Sequence, residues 1–314
     1  MRRFLALSFG LAWAFSLPLW LPGSGPQSSL MTPVGAAMMF TPSLAVLGVY
    51  MRRRRRDGAG SLGALARATG LTLGPNRRRT VGLMLLGWVA PPFLVGLTTA
   101  LAAAIGVLHV DLESFSLLRE RLGYDAGEAL PMAATQLLLV AVLQSATVSA
   151  LITMVFAWGE EWGWRGWMLP RLVSRWGVTG GLVLSGVIWG LWHLPVTLRG
   201  YNYPELGAWA GLFFIVSCIL LAVPLGWLRL VTGSVWPAVV AHGAFNATAG
   251  LVNYVGDAAE PPVMHLAGLA GIVGWIVLAA VSMLCLRHLR SLQVLPDAAD
   301  EDVTSVVTGS VAST

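Results

Sequence analysis

Charge is scarce in this chain of 314 residues: only 11% of them are Asp, Glu, Lys or Arg, and lysine is absent altogether. Soluble domains usually carry about 25% charged residues, so the composition excludes an ordinary soluble enzyme. Cysteine is also scarce, with two residues that lie in separate apolar runs, which excludes a disulfide scaffold and shows no metal-binding spacing. Hydrophobic residues make up 56% of the chain and the mean hydropathy is +0.72, which excludes a disordered chain.

What the sequence does contain is a series of long apolar runs, with the charges confined to the gaps between them. A lipid bilayer selects this pattern, and the two-residue alternation of membrane strands is not visible. The sequence therefore predicts an all-α, polytopic membrane protein with about eight transmembrane helices, each close to or above the ~20 residues that a spanning helix needs. The predicted segments are 4–21, 31–50, 81–110, 131–157, 178–198, 208–228, 235–255 and 263–286.

The placement of arginine predicts the orientation of these segments. If the N-terminus lies inside, only Arg119, Arg121 and Arg199 fall on the outer side, in agreement with the positive-inside rule. Both termini are then cytoplasmic in a multi-pass protein of the cell (inner or plasma) membrane. The basic, glycine-rich loop 52–80 is expected to contact anionic lipid headgroups rather than nucleic acid.

The two ends of the chain need separate interpretations. The first segment is predicted to be a membrane helix, although two arginines before an apolar stretch also fit a cleaved signal peptide. Residues 1–290 are predicted to form one transmembrane domain, whose chemically distinctive core covers about 131–255, and the polar tail 291–314 is predicted to be disordered and cytoplasmic. The 14 tryptophans lie mostly near segment ends, which is typical of an interfacial belt.

Strongly polar side chains inside the apolar segments occur at three places. Such residues are informative because a charge in the bilayer core costs at least ~2.5–3.5 kcal/mol. The three places are Glu160, Glu161 and Arg165 in the fourth segment, His193 in the fifth, and His242 with Asn246 in the seventh. We predict that helices 4, 5 and 7 bring these groups into one site.

Spacing supports this prediction for the fourth and fifth segments. A turn near 176–177 would lie equally far along the chain from Glu160 and His193, so antiparallel helices would hold both side chains at similar depth. Gly186 and Gly190 are four residues apart and leave a face without bulk near His193, where another helix can approach closely. His242 and Asn246 are also four residues apart and lie on one helix face.

The two neighbouring glutamates are expected to differ in role. Glu161 precedes Arg165 by four residues, with the acid on the N-terminal side, which is the favoured orientation for a helical ion pair. Glu160 points about 100° away around the helix. We therefore predict that Glu161 and Arg165 are structural, and that Glu160 is the candidate general base.

Together these motifs resemble a known family. The sequence contains Glu-Glu-x-x-x-Arg at 160–165, an aromatic residue four positions before His193 at 189–193, and His-x-x-x-Asn at 242–246. These motifs resemble those of the CPBP intramembrane proteases. This family is also called the ABI or CAAX-protease family and includes the type II CAAX prenyl endopeptidase. The family usually has Phe where this chain has Trp189. The resemblance is sharpest over 158–246, while Thr41-Pro42-Ser43 is similar to the family's second helix.

The resemblance implies peptide-bond hydrolysis inside the membrane. Glu160 and His193 would activate a water, His242 and Asn246 would bind that water or stabilise the oxyanion, and Glu161 with Arg165 would support the site. The implied substrate is a membrane-associated or lipidated protein or peptide. The lysine-free, arginine- and alanine-rich composition favours a bacterial source, in which prenylated substrates are generally lacking.

Two alternatives stay open at the level of sequence. In the first alternative, which we slightly favour, the reaction needs no cofactor. In the second, Glu160, His193 and His242 hold a Zn²⁺, since one carboxylate and two imidazoles can form a three-ligand site with an open position for water. The chain could also be a proton-coupled transporter, because intramembrane Glu and His form proton relays, or a non-catalytic scaffold of the same fold.

Overall fold

The structure is a computed structural model that describes residues 1–21, 28–58, 60–125 and 128–292. Over these residues the backbone is helical apart from loops and one isolated β-bridge between Val110 and Gly256, so the predicted all-α class is confirmed. The predicted disordered tail lies outside the described residues from position 293 onward.

The α-helices over these ranges are given in chain order. They are α1 (Arg2–Ser16), α2 (Met31–Met39), α3 (Thr41–Asp57), α4 (Leu62–Ala68), α5 (Arg77–Ala104), α6 (Ser116–Leu122), α7 (Ala134–Gln144), α8 (Ala150–Glu161), α9 (Leu169–Thr197), α10 (Ala210–Thr232), α11 (Trp236–Thr248), α12 (Met264–Ala267) and α13 (Ile272–Ser291). Two π-helical turns, Ser145–Ser149 and Trp162–Met168, join α7 to α8 and α8 to α9. Short 3₁₀ turns cover Leu17–Trp20, Pro204–Trp209 and Leu251–Tyr254.

Local sequence explains where several of these helices begin and end. The side chain of Asn76 accepts a hydrogen bond from the amide of Arg79 at 3.0 Å and so caps α5. Pro42 lies in the first turn of α3, where a missing N–H has no cost. Gly58 after α3 and Gly233 after α10 both adopt the left-handed conformation, which ends a helix at least cost when the residue is glycine.

Six helical stretches are long and apolar enough to cross a membrane, within the part of the chain that the structure describes. They are Arg2–Trp20, Met31–Arg56, Arg77–Ala104, Ala134–Thr197, Pro204–Thr232 and Met264–Ser291. The protein is therefore a multi-pass membrane protein.

The predicted number of eight transmembrane helices is not confirmed, for two reasons. The fourth and fifth predicted segments both fall within Ala134–Thr197, which counts as one of the six stretches although the backbone at Gly177 inside it is not helical. The seventh corresponds to α11, which has 13 residues and is shorter than the ~20 residues of a full membrane crossing.

The described chain forms two compact units, whereas the predicted single domain over 1–290 remains a prediction. The first unit comprises 1–84, 156–239 and the segment from 282 onward. Within it the chain reverses direction at Gly177, whose φ of 69° and ψ of 172° are readily adopted only by glycine. After this turn Gly181 packs against the backbone of Val173, so the hairpin turn predicted near 176–177 is confirmed.

The second unit comprises 85–155 and 240–281. Its two loops pair through main-chain hydrogen bonds from Asp111 to Val255 and from Asp257 to His109, both 3.0 Å long. The hydroxyl of Ser114 and then the amide of Ser116 hold the pKa of Asp111 well below its usual range. The carboxylate of Asp111 thus organises its own loop by accepting these hydrogen bonds.

Candidate active site

Glu160 lies near the C-terminal end of α8 and is only 1% exposed. Immediately after it the helix widens into the π-helical turn Trp162–Met168, all of whose residues are buried. Such turns occur frequently at functional sites because they change the direction in which side chains leave a helix. A buried carboxylate is costly unless it is hydrogen-bonded, so its partners define the site.

Two indoles donate hydrogen bonds to the same oxygen of Glu160. The Nε1 atoms of Trp164 and Trp189 lie 3.3 Å and 2.5 Å from Oε2. An indole N–H can only donate, so Oε2 is the acceptor in both. Trp164 is one turn further along the chain and is 0% exposed, while Trp189 comes from α9 and is 3% exposed.

The predicted ion pair between Glu161 and Arg165 is present in the structure. Nη1 of Arg165 lies 2.7 Å from Oε1 of Glu161, and both side chains are 0% exposed. The guanidinium carbon of Arg165 also lies 4.4 Å from the centroid of the Trp189 ring, within the range of a cation–π interaction. The pair therefore contacts the same tryptophan that donates to Glu160.

His193 is half-buried on α9, one turn after Trp189. Its Nδ1 lies 2.9 Å from the carbonyl oxygen of Trp189. A carbonyl only accepts hydrogen bonds, so this contact assigns the proton to Nδ1, and the lone pair of the neutral ring is on Nε2. The imidazole packs edge-on against Trp192 and Phe214, with ring centroids 4.6 Å and 4.9 Å away. Trp189 thus contacts His193 through its backbone and, edge-on at 5.7 Å between ring centroids, through its ring, and it contacts Glu160 through its indole N–H.

Helix α3 packs closely beside Glu160 because the neighbouring helix carries glycine there. A Cβ on Gly159 would lie 2.7 Å from the carbonyl oxygen of Met39, and one on Gly163 would lie 2.3 Å from Cβ of Pro42. The hydroxyl of Ser43 donates to the carbonyl oxygen of Gly159, the residue before Glu160. The segment Thr41-Pro42-Ser43 therefore contacts the backbone that carries the glutamates.

The predicted bare face of α9 is confirmed. A Cβ on Gly186 would lie 2.4 Å from Cα of Ile219, and one on Gly190 would lie 2.7 Å from Cα of Ile215. Backbone atoms of α10 occupy the space that larger side chains would fill. This close contact explains how Phe214 of α10 comes to lie against the imidazole of His193.

His242 and Asn246 lie one turn apart on α11, as their spacing predicts. His242 is 3% exposed, whereas Asn246 is exposed. Gly243, next to His242, would place a Cβ 2.8 Å from Cα of Met154, and its carbonyl oxygen accepts a hydrogen bond from Oγ1 of Thr153 at 2.7 Å. The structure thus brings together Glu160, Glu161, Arg165 and His193 in the first unit. The convergence of His242 and Asn246 with these residues stays a prediction.

The zinc alternative stays a prediction. Of its three expected ligands, Glu160 and His193 lie in the first unit and His242 lies in the second. Across 1–21, 28–58, 60–125 and 128–292, no group of three or more His, Cys, Asp or Glu residues is arranged to hold a metal ion. Oε2 of Glu160 accepts two indole hydrogen bonds.

Sequence interpretation missed the donors to Glu160. An interfacial belt predicts tryptophans at the membrane surface, yet Trp164, Trp189 and Trp192 are 0%, 3% and 1% exposed. The signal was present in the spacing, because Trp164 follows Glu160 by four residues and Trp189 precedes His193 by four, so each lies on the polar face of its helix. The contact from Nε1 of Trp192 to Oγ1 of Thr41 at 3.1 Å had no comparable signal.

Part of the chain is similar to known proteins. Residues 129–248 match the family described as "Type II CAAX prenyl endopeptidase Rce1-like". Over 103 residues the chain is 30% identical to "CAAX prenyl protease 2" from Methanococcus maripaludis. The match covers 31% of this chain and 38% of that relative, so the chain spans well under half the length of the curated relative it matches.

The matched region contains the site residues predicted from sequence. Glu160, Glu161, Arg165, His193 and His242 all fall within 129–248, as does Asn246. The matched family and the relative are both named as peptidases, which does not favour the transporter alternative. The predicted resemblance is confirmed, and the segment 129–248 is similar to the Rce1-like family of type II CAAX prenyl endopeptidases.

Proposed function

We propose that this protein is an intramembrane endopeptidase, similar to the CAAX proteases, that hydrolyses a peptide bond of a membrane-associated or lipidated protein or peptide. One observation carries the proposal: a carboxylate that is 1% exposed, Glu160, is oriented by two indole donors next to the helix face that bears His193. A membrane protein keeps such a costly group mainly where it functions. The position of this group inside the matched segment supports a peptidase.

In the proposed reaction Glu160 acts as general base, assisted by His193. The carboxylate accepts a proton from a water molecule while the water oxygen attacks the carbonyl carbon of the scissile peptide bond. The resulting tetrahedral intermediate collapses when the C–N bond breaks, and the proton passes to the leaving amine. The products are a new carboxylate and a free amine, and no metal, oxidant or other cofactor takes part.

The other predicted site residues receive supporting roles. We propose that His242 and Asn246 act as neutral hydrogen-bond donors to the water or to the oxyanion, because fixed donors in a dry site are worth several kcal/mol to a developing negative charge. Glu161 and Arg165 form a buried ion pair that holds the end of α8 and the ring of Trp189. They support the site without touching the substrate.

The substrate class follows from the location of the site. Glu160 and His193 both lie within the candidate membrane stretch Ala134–Thr197, so a substrate must itself be associated with the membrane to reach them. The name of the Methanococcus relative refers to prenylated proteins, and we propose a lipidated or membrane-bound peptide as the corresponding class here. We also propose that the protein comes from a bacterium and lies in its plasma membrane, with both termini cytoplasmic.

The substitution Glu160→Gln tests this function. It keeps the size of the side chain but removes the base, so we expect cleavage to fall by about 10²–10⁴-fold. The measurement is mass spectrometry of lipidated and unlipidated membrane peptides incubated with the full chain in lipid vesicles. Glu113→Gln, which changes an exposed carboxylate in a loop, is the matched control and should cleave normally.

Two results would contradict the proposal. Normal cleavage by the Glu160→Gln variant would show that this residue is not the base. Proton or solute flux across sealed vesicles, without cleavage of any peptide by the unmodified protein, would support a transporter instead.

A further inference from the structure

Trp189 contacts three of the predicted site residues at once. Its indole Nε1 donates to Oε2 of Glu160 at 2.5 Å, the guanidinium of Arg165 lies 4.4 Å from its ring centroid, and its carbonyl oxygen accepts from Nδ1 of His193 at 2.9 Å. The hydrogen bond with His193 uses the backbone and would exist with any residue at this position, while the two rings also meet edge-on with centroids 5.7 Å apart. The contact with Arg165 needs an aromatic ring, and the hydrogen bond to Glu160 needs the indole N–H.

The hydrogen bond to Glu160 has the properties of a strong interaction. It is short, its acceptor is a carboxylate, and both side chains are almost completely buried, at 1% and 3% exposed. Hydrogen bonds to charged acceptors are roughly twice as strong as neutral ones, and a low-dielectric interior strengthens them further. We therefore expect this bond to restrict the orientation of the carboxylate.

Arg165 reinforces this donor. A cation over the face of an indole attracts the electrons of the ring, which makes its N–H a better donor. Oε1 of Glu161 in turn holds the guanidinium at 2.7 Å. The buried ion pair is thereby linked to Glu160 through the tryptophan ring.

We propose that Trp189 is a positioning residue for the reaction: its indole N–H orients the carboxylate of Glu160, while the stacked guanidinium of Arg165 holds the ring in place. This inference rests on the proposed function of Glu160. It concerns the residue in which this chain departs from the Phe of the family pattern, since a phenyl ring would keep the stacking on Arg165 but has no N–H to donate.

The proposal distinguishes orientation from packing. If Trp189 only fills space, Trp189→Phe should act through the stability of the fold. If its N–H orients the base, Trp189→Phe should slow the chemical step and leave the binding of substrate unchanged, because a small misplacement of a catalytic group reduces the rate steeply.

The first experiment compares Trp189→Phe with Trp162→Phe in the full chain, using the peptide cleaved by the unmodified protein. Trp162 is the matched control, since it is also buried (6% exposed) and donates its indole N–H at 2.9 Å, but to Oγ1 of Thr69. We expect kcat of Trp189→Phe to fall about tenfold or more, from the loss of one charge-assisted hydrogen bond. KM should stay within about twofold, and both constants of the control should stay near those of the unmodified protein.

The second experiment does not require activity. In heteronuclear NMR of isotope-labelled indole groups, the signal that disappears in Trp189→Phe is the N–H of Trp189. We expect this signal at the strongly hydrogen-bonded end of the indole range, and we expect it to move toward the weakly bonded end in Glu160→Ala. A melting temperature close to that of the unmodified protein confirms that each variant is folded.

The outcomes separate the two proposals. If the unmodified protein cleaves nothing but the Trp189 signal responds to Glu160→Ala, the proposed function fails and the contact stands. If cleavage occurs but kcat of Trp189→Phe is unchanged, or falls equally in Trp162→Phe, the positioning role is wrong. The positioning role is also wrong if the signal of the Trp189 indole N–H does not move in the Glu160→Ala variant.

Discussion

At the scale of single residues, two adjacent glutamates have different chemistry because they point to different neighbours. Glu161 meets the guanidinium of Arg165 at 2.7 Å, while Glu160 meets the indoles of Trp164 and Trp189. An ion pair neutralises its carboxylate, whereas indole donors orient a carboxylate without cancelling its charge. These contacts agree with the different roles that we propose, a structural ion pair for Glu161 and a general base for Glu160.

The buried ion pair gives a prediction at this scale. Removing one partner leaves an uncompensated buried charge, so Glu161→Gln or Arg165→Met alone should destabilise the fold by about 3–5 kcal/mol. The double variant removes both charges and should recover a large part of that loss. The measurement is the free energy of unfolding, or the melting temperature in detergent, across the complete double-mutant cycle. If the two single losses simply add, the charges are not coupled.

At the scale of helices, glycine determines which pairs of helices can approach closely. Gly159 and Gly163 allow the end of α2 and the start of α3 to contact the backbone beside Glu160, and Gly186 and Gly190 allow α10 to contact α9. In lipid, helices gain little from the hydrophobic effect and associate largely through close van der Waals contact. The glycine pairs therefore hold the helices that carry the site in register.

Gly186→Ala tests this role. The new Cβ would lie 2.4 Å from Cα of Ile219, so the helices must separate, and we expect a loss of about 1–3 kcal/mol in the free energy of unfolding. Gly10→Ala is the matched control, because a Cβ at this helical position meets nothing within 4 Å. The control should be neutral or stabilise the fold by about 0.5–1 kcal/mol. Equal losses in both variants would mean that the close approach of α10 is unimportant.

At the scale of the whole molecule, the composition and the helices agree on a multi-pass membrane protein. Six stretches are long and apolar enough to span a bilayer within the described ranges. The exposed arginines that end α3 and begin α5 flank the loop that we predict to be cytoplasmic. The positive-inside rule predicts that these arginines face the anionic lipid of the cytoplasmic side.

Cysteine labelling tests this orientation. Cys218 and Cys285 are buried and can be replaced by Ala to give a cysteine-free background. We expect Thr72→Cys, an exposed position in the basic loop, to react with a membrane-impermeant thiol reagent only after cells are broken. Glu113→Cys, an exposed position in the loop after α5, should react in intact cells. The reverse pattern would show that the predicted topology is inverted.

The fold class and the residue types of the candidate site could be predicted from the amino-acid sequence alone. Apolar runs predict helices in a bilayer because backbone polar groups must be satisfied within the segment. Spacing alone predicted the ion pair of Glu161 with Arg165, the turn at Gly177 and the bare face at Gly186 and Gly190, because these depend on the fixed geometry of one helix or one hairpin.

The side chains around Glu160 and the extent of each helix could not be predicted from the sequence and are visible only in the tertiary structure. The contacts of Trp189 with Glu160 and of Trp192 with Thr41 join positions that are 29 and 151 residues apart, and helical periodicity carries no information about such pairs. The 13 residues of α11 are likewise fewer than its apolar run suggests. Local geometry is encoded residue by residue, whereas the environment of a buried carboxylate depends on packing between helices that are distant in sequence.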